Sequence, residues 1–403
     1  MNLVEIHNIK KSHKNWKSCD KLCFLSKNLY NQALWQFNQY YKETGKTLRY
    51  NEMEKVLKAL PDEVNNYKLL TPSVSQQVLM IFDQNIKSFF GLLKIKDKLN
   101  GHPKIMKFKH KENGRNIVVL RGDKNVCKVK NGFVYFPKKL NIYPVKSINV
   151  RNQEDLVQVR IVPQTSNYKI EIIYKKKEKI NWNGGLASID LGVNNLATLT
   201  TDKSCFLFNG KDLKSVNQYY NKNRSKIQSD LEKRYKRKSS KRLNKLTEKR
   251  NNRIKDLLHK KSRQLVNKLK EDKVKNLAIG YNKEWKQEIN LGKKTNQTFV
   301  SIPYSRFIDM IVYKCKLEGI NVIINEESFT SKCSSLDLES IKKHEEYLGR
   351  RIKRGLFKTS KGILINSDVN GSLNIGRKVF GDDYFNPTNR GFVLNPIKIL
   401  SIR

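Results

Sequence analysis

Three apolar runs in the second half of the chain lead into acids, although the chain is otherwise strongly basic. Leu186 to Ile189 ends at Asp190, INVIIN at 320–325 ends at Glu326 and Glu327, and the short run ILI at 363–365 leads to Asp368 at a helix start. Each acid alone has an ordinary explanation, a turn for Asp190 or a helix N-cap for Asp368. Their order along the chain is more restrictive. Gly192 follows Asp190, and two more strand-like stretches, Leu196 to Thr200 and CFLF at 205–208, come next. VKNLAIG at 274–280 reads as a buried strand with no acid. A helix follows, with Phe307, Ile308, Ile311, Val312 and Cys315 on one face, then the strand ending in Glu326 and Glu327, then Asp368 and a helix packing Leu373, Ile375 and Val379.

The resulting order, β-β-β-α-β-α-β-α with acids on the first strand, on a later strand and at the last helix start, is the layout of an RNase H-like nuclease. Phosphodiester cleavage by paired divalent ions requires several carboxylates to converge, because magnesium takes hard oxygen ligands. Asp190, one of Glu326 and Glu327, and Asp368 are therefore the candidate catalytic and metal-holding residues, with two Mg²⁺ (or Mn²⁺) as the expected cofactor. Adjacent residues on a strand face opposite sides, so only one of the two glutamates can face the other acids.

The remaining sequence supports a polyanionic partner. Lys and Arg number 81 against 37 Asp and Glu, a net charge of +44. So large an excess repels itself unless something anionic neutralises it, and phosphate backbones do so with release of counterions. The length, 403 residues, suggests two or three domains. No apolar run reaches about 18 residues, so no membrane span is expected. The first residues lack the apolar stretch of a signal peptide, and a cytoplasmic, nucleoid-associated bacterial protein is expected. Cys19, Cys23, Cys127, Cys205, Cys315 and Cys333 form no CxxC pair, so no structural zinc is expected and the thiols read as free and buried.

Residues 1–14 contain a strand, NLVEIHNI, and 15–112 read as a helical lobe. In its second long helix Val74, Val78, Ile81, Phe82 and Phe89 form a buried stripe, with Thr71 or Ser73 as cap and Pro72 in the first turn. The polar face, with Gln76, Gln77 and Lys87, is left for nucleic acid, as is the basic loop HPKIMKFK with Lys104, Lys107 and Lys109. Residues 113–182 carry short β-runs (NIVVL, GFVYF, QVRIV, YKIEIIY) expected to form a small antiparallel sheet or barrel. Residues 183–380 hold the acids, and 381–403 read as a C-terminal tail. Within them, residues 211–275 read as two long helices with a turn near Ser239 and Ser240, where basic residues outnumber acidic ones roughly three to one. That hairpin is either simply solvated or presents a face to nucleic acid, and the second reading is preferred.

SIDLGVNNLAT, ESFTSK and DVNGSLNI, in this order, together with LAIGYNKEWKQEINLGKKTNQTFVSIPYSRFIDMIVYKCKLEG, VSQQVL…KSFF and HPKIMKFK, resemble the TnpB (OrfB) family, RNA-guided nucleases encoded by bacterial insertion sequences. The resemblance implies an α/β RNase H-like (RuvC) nuclease domain, a β-barrel wedge domain and an inserted α-helical recognition lobe. It also implies a guide RNA, a double-stranded DNA target beside a short motif, and a division of labour in which base pairing supplies sequence selectivity. A monomer is favoured. The sequence departs from the family at one strand end: where much of the family carries a catalytic Glu, Gly280 stands here, with Glu284 four residues later. Some members instead carry the acid just before the S-[YF]-T-S segment, as Glu327 does, so the resemblance implies Glu327 as the catalytic and metal-holding glutamate, with Glu326 the fallback. Rival readings are a small type V CRISPR effector and a nuclease-dead RNA-guided repressor.

Overall fold

The computed structural model describes residues 1–99, 101–180, 183–282, 300–384 and 391–400. The chain divides into two compact units, Met1–Lys176 and Lys177–Arg403.

The first unit begins with β1 (Asn2–Ile9), followed by helices α1 (Trp16–Thr44), α2 (Tyr50–Lys58) and α3 (Pro72–Lys94). The strands β2 (Val118–Arg121), β3 (Lys128–Lys130), β4 (Phe133–Tyr135), β5 (Val145–Lys146), β6 (Leu156–Pro163) and β7 (Tyr168–Lys175) complete it. The apolar spacing explains α1, whose Cys19, Cys23, Leu29, Leu34 and Phe37 are all buried. Burial pushes the Cys19 thiol up to about 12, helped by the charge of Asp20, so it is inert at neutral pH. Helix α3 buries Val74, Val78 and Phe82, while Ile81 and Phe89 are only half-buried. Pro72 occupies its first turn as expected, but Thr71 at the N-cap makes no side-chain bond. Neither the Thr71 nor the Ser73 hydroxyl finds a partner among the described residues.

The expected barrel is not found. The strands form two open sheets, β1-β7-β6-β2 and β3-β4-β5. Closure needs strand number, tilt and stagger to agree around a ring. Here β2 is a four-residue strand pairing with half of the eight-residue β6, and β1 is fully committed to β7 from Asn2 to Ile9.

The second unit is built on a six-stranded sheet. A meander of β8 (Gly185–Leu191), β9 (Asn195–Thr201) and β10 (Cys205–Asn209) is followed by helices α4 (Lys211–Tyr235) and α5 (Lys241–Glu271). Next come β11 (Val274–Gly280), α6 (Tyr304–Leu317), β12 (Asn321–Asn325), β13 (Arg350–Lys353), β14 (Leu356–Lys358), β15 (Leu364–Asn366), α7 (Ser367–Phe380) and β16 (Ile397–Ile399). The strand order is β12-β11-β8-β9-β10-β16, with β11 parallel to both β8 and β12. β13, β14 and β15 form a separate three-stranded sheet.

Strands β8, β9 and β11 are buried or half-buried along their whole length because both faces are covered. Ile189, Leu199 and Phe208 share one core with Leu258, Leu265 and Leu269 of α5 and Phe307 and Ile311 of α6. Cys205 and Leu207 share the opposite core with Val369 and Leu373 of α7. The turn expected near Ser239 and Ser240 is present, and the Ser240 hydroxyl caps α5 by accepting from the Leu243 amide. The segment read as a tail supplies β16, parallel to β10, and Tyr384, which donates to the Thr200 carbonyl. Among the described residues no helix is long and apolar enough to cross a membrane.

Candidate active site

Period-two alternation along β8 decides where Asp190 points. Ser188, two residues earlier, donates to the Ser372 carbonyl of α7 at 2.6 Å, whereas Ile189 faces the α5–α6 core. Asp190 therefore shares the α7 face. The helix approaches it through Gly371: a Cβ there would lie 3.1 Å from Asp190 Oδ2.

Asp368 stands one helical turn before Gly371, on the same side of α7. It is not the helix cap. Asn366 is, its side chain accepting from the Asp368 amide at 2.9 Å. The Asp368 carboxylate is held instead by Asn195 at the start of β9, whose Nδ2 donates to Oδ2 at 2.8 Å.

Glu327 lies just past β12. Its amide donates to Asn282 Oδ1 at 2.9 Å, and its carboxylate lies against the end of β11. A Cβ built on Gly280 would run into Glu327 Oε1 and come within 2.6 Å of its Cγ and 2.5 Å of Ile375 Cδ1. Glu327 thus fills the space that a side chain at 280 would take. Its Oε1 is buried with no hydrogen-bond partner among the described residues. Glu326 turns the other way, is exposed, and accepts from Ser328. Glu284 lies outside the described residues.

The electrostatics bind the three acids into one constellation. Burial, then the charges of Glu327 and Asp368, push the Asp190 carboxyl well above the ordinary aspartate range. The charge of Arg351, on β13, opposes this. Burial raises Glu327 to about 7. Burial and the charges of Asp190 and Glu327 also raise the Tyr304 phenol, whose hydroxyl donates to the Gly192 carbonyl at 2.9 Å. Among the described residues no group of three His, Cys, Asp or Glu side chains stands ready, as placed, to hold a metal ion. The donor set nonetheless suits a hard cation: three carboxylates, of which Asp190 and Glu327 have raised proton affinity, and Glu327 carries a buried oxygen with no hydrogen-bond partner among the described residues.

Sequence reasoning missed the supports of these acids. Asn370, two residues past Asp368, is buried and neither caps α7 nor holds Asp368. Its Oδ1 accepts from the amide and hydroxyl of Ser335, and its Nδ2 donates to the Cys333 carbonyl. Asn374 donates to the Thr330 and Cys333 carbonyls, and Arg377 to the Glu339 carbonyl. One face of α7 thereby grips the segment that follows Glu327. Cys333 is buried and donates to the Ser340 and Lys342 carbonyls. Around it Glu339 accepts from the Ser334 and Leu348 amides, and Asp337 from Ser334 Oγ and from the amide and hydroxyl of Ser360. The only forewarning in the sequence was the spacing of Asn370, Asn374 and Arg377, which recur on one helix face.

The six residues proposed for nucleic acid lie in the first unit, and several are engaged. Gln76 donates to Glu54, Lys87 pairs with Asp83, and the Lys109 amide donates to Asn31 while its ammonium sits 5.0 Å from the Tyr30 ring. Gln77 is half-buried, and Lys104 and Lys107 are exposed.

Residues 168–286 match the OrfB_IS605 family model, described as a probable transposase, and residues 304–375 match the Cas12f1-like TNB domain. The resemblance to the TnpB (OrfB) family is borne out. A cryo-EM structure of a Cas12f1–sgRNA–target DNA complex is similar in fold, with a TM-score of 0.52 at 17% identity over 89% of this chain and 81% of that one. A CRISPR-Cas_phi3 mini-RNA-guided endonuclease aligns over 94% of this chain and 92% of its own, at 10% identity and a TM-score of 0.45. A search of curated proteins found no match.

Proposed function

We propose that this chain is an RNA-guided DNA endonuclease of the TnpB–Cas12f lineage, taking its guide from a transposon end. In this reading it cuts double-stranded DNA beside a short motif, at one RuvC-like, RNase H-type site. The contact of the Glu327 carboxylate with Gly280 carries the reading, because it supplies a third acid where the strand end lacks one. The OrfB family match and the structural neighbours, which are complexes and enzymes of RNA-guided nucleases, agree with it.

Asp190, Glu327 and Asp368 would hold two Mg²⁺, or Mn²⁺. Ions bound there supply an acidified water and neutralise charge on the phosphodiester. Asn195 fixes the Asp368 carboxylate, Asn282 fixes the chain at Glu327, and Tyr304 fixes the Gly192 turn that follows Asp190. Arg351 keeps positive charge near Asp190. Residues 1–14 and 113–182 act as the wedge, 15–112 as the recognition lobe and 183–380 as the nuclease domain. In the first unit Gln77, Lys104 and Lys107 are the freest of the six candidates for phosphate or base contact.

The nuclease-dead repressor reading requires a missing acid, and Glu327 argues against it. The test is to purify the protein from cells carrying its native locus and sequence the RNA that comes with it. The complex is then offered a guide-matched plasmid library with randomised flanks and Mg²⁺. Cutting beside one flank by wild type, and none by Asp190→Ala with RNA binding retained, is expected. Guide-dependent binding without cutting refutes the nuclease assignment. Reads that map to a repeat array in place of a transposon end move the guide source to CRISPR.

A further inference from the structure

The packing of α4 on α5 is interrupted by a cavity. On α5 the residues facing α4 at one level are Leu246, Lys249, Arg250 and Arg253, spaced three and four apart. Helix pairs normally fill such a stripe with apolar side chains. With three cations there the helices cannot close, and a cavity of about 360 Å³ opens between them. Among the described residues no carboxylate lines it.

The cavity is built rather than merely open. Tyr220 turns inward and its hydroxyl pairs with Thr247 at 3.1 Å. Arg250 covers the Tyr220 ring at 5.5 Å and is pinned by Asn217, Asn251 and the Ser301 carbonyl. That leaves Lys249 and Arg253 with no ion pair or hydrogen bond among the described residues, and both are exposed. Tyr219, at the mouth, is 66% exposed. An aromatic ring left in water beside two uncommitted cations suits a ligand that has both a flat π-face and an anion.

We propose that this cleft takes one unpaired nucleotide, with Tyr219 stacking on the base and Lys249 and Arg253 holding its phosphate. The inference deepens the nucleic-acid reading above and rests on it. A base in a duplex is stacked on its neighbours and cannot present its face, so the partner is a single-stranded stretch, from the guide RNA or from opened target DNA. Sequence preference is not expected, since every base has a π-face.

The test measures binding of the full chain to fluorescein-labelled oligouridylate, oligothymidylate and a DNA duplex at rising KCl. Backbone attraction falls steeply with salt, whereas stacking does not, so the two contributions separate. Tyr219→Ala is expected to weaken single-strand binding about tenfold at every salt concentration. Duplex binding should be unchanged, and Tyr219→Phe should behave as wild type. Lys249→Ala is expected to make the salt dependence shallower by about one charge. Loss on oligouridylate alone assigns the cleft to RNA, and loss on both strands to any single strand. Either Tyr219→Ala binding both single strands like wild type, or its losing duplex binding equally, overturns the proposal and leaves the nuclease reading standing. Failure of wild type to bind any probe removes both.

Discussion

If Glu327 occupies the volume belonging to position 280, the acid can be moved back. Glu327→Ala should lower cleavage by more than ~10²-fold, because even residues that only support metal ligands typically cost 10–100-fold. Gly280→Glu in the wild-type background should also be inactive. Its Cβ alone would come within 2.6 Å of Glu327 Cγ, and two carboxylates about 3 Å apart repel by roughly 5 kcal/mol at an effective dielectric constant near 20. The double variant Gly280→Glu/Glu327→Ala removes both the collision and the repulsion. Of the three atoms nearest the new Cβ, Ile375 Cδ1 at 2.5 Å then remains and must turn aside, and it is the end of a flexible side chain. This variant should recover at least a tenth of wild-type cleavage in the guided plasmid assay, with Mg²⁺ saturating. A folded, RNA-binding double variant that stays inactive refutes the equivalence of the two positions, and an active Glu327→Ala refutes the role of Glu327 outright.

Other outcomes follow from the same geometry. Without metal, Glu327 binds its proton up to about pH 7 in the folded chain against an ordinary value of 4.5. The folded state therefore holds the extra proton between these values, and stability should fall as pH rises through that window, by up to ~3 kcal/mol. Melting in EDTA should show a smaller fall in Glu327→Gln than in wild type, the remainder coming from Asp190, which burial also raises. Arg351→Ala removes the cation that opposes the rise of Asp190, so Asp190 should hold its proton more tightly and the pH–rate profile of cleavage should move upward. Glu339→Ala strips the acceptor from two amides of a buried loop, and denaturant unfolding should register a loss of about 2–4 kcal/mol.

The sheet was legible because its strands are short apolar runs bounded by turns, and because the hydrophobic period changes to helical where α6 and α7 begin. Alternation put Glu326 and Glu327 on opposite sides, but the choice of Glu327 rested on its place just before SFTS. The barrel was not legible: the runs at 117–175 are equally compatible with open sheets, and only pairing partners and strand lengths distinguish them. β16 escaped notice because three residues carry no period. The role of Asn370 was not legible, since its bonds reach 35 residues back, to Ser335. Tyr219 and the cavity beside it were equally invisible, because the same basic spacing serves a solvated hairpin or a lined cleft.

The meeting of Glu327 and Gly280 also constrains how such a site arises. Two positions that compete for one volume cannot both carry an acid without mutual exclusion, so descent from one arrangement to the other has no comfortable intermediate. A lineage must pass through a form with neither acid, able to bind and unable to cut, or through a crowded form with both. Judging activity from one alignment column would place this chain among the inactive forms, although the carboxylate is present and has only changed the strand from which it enters.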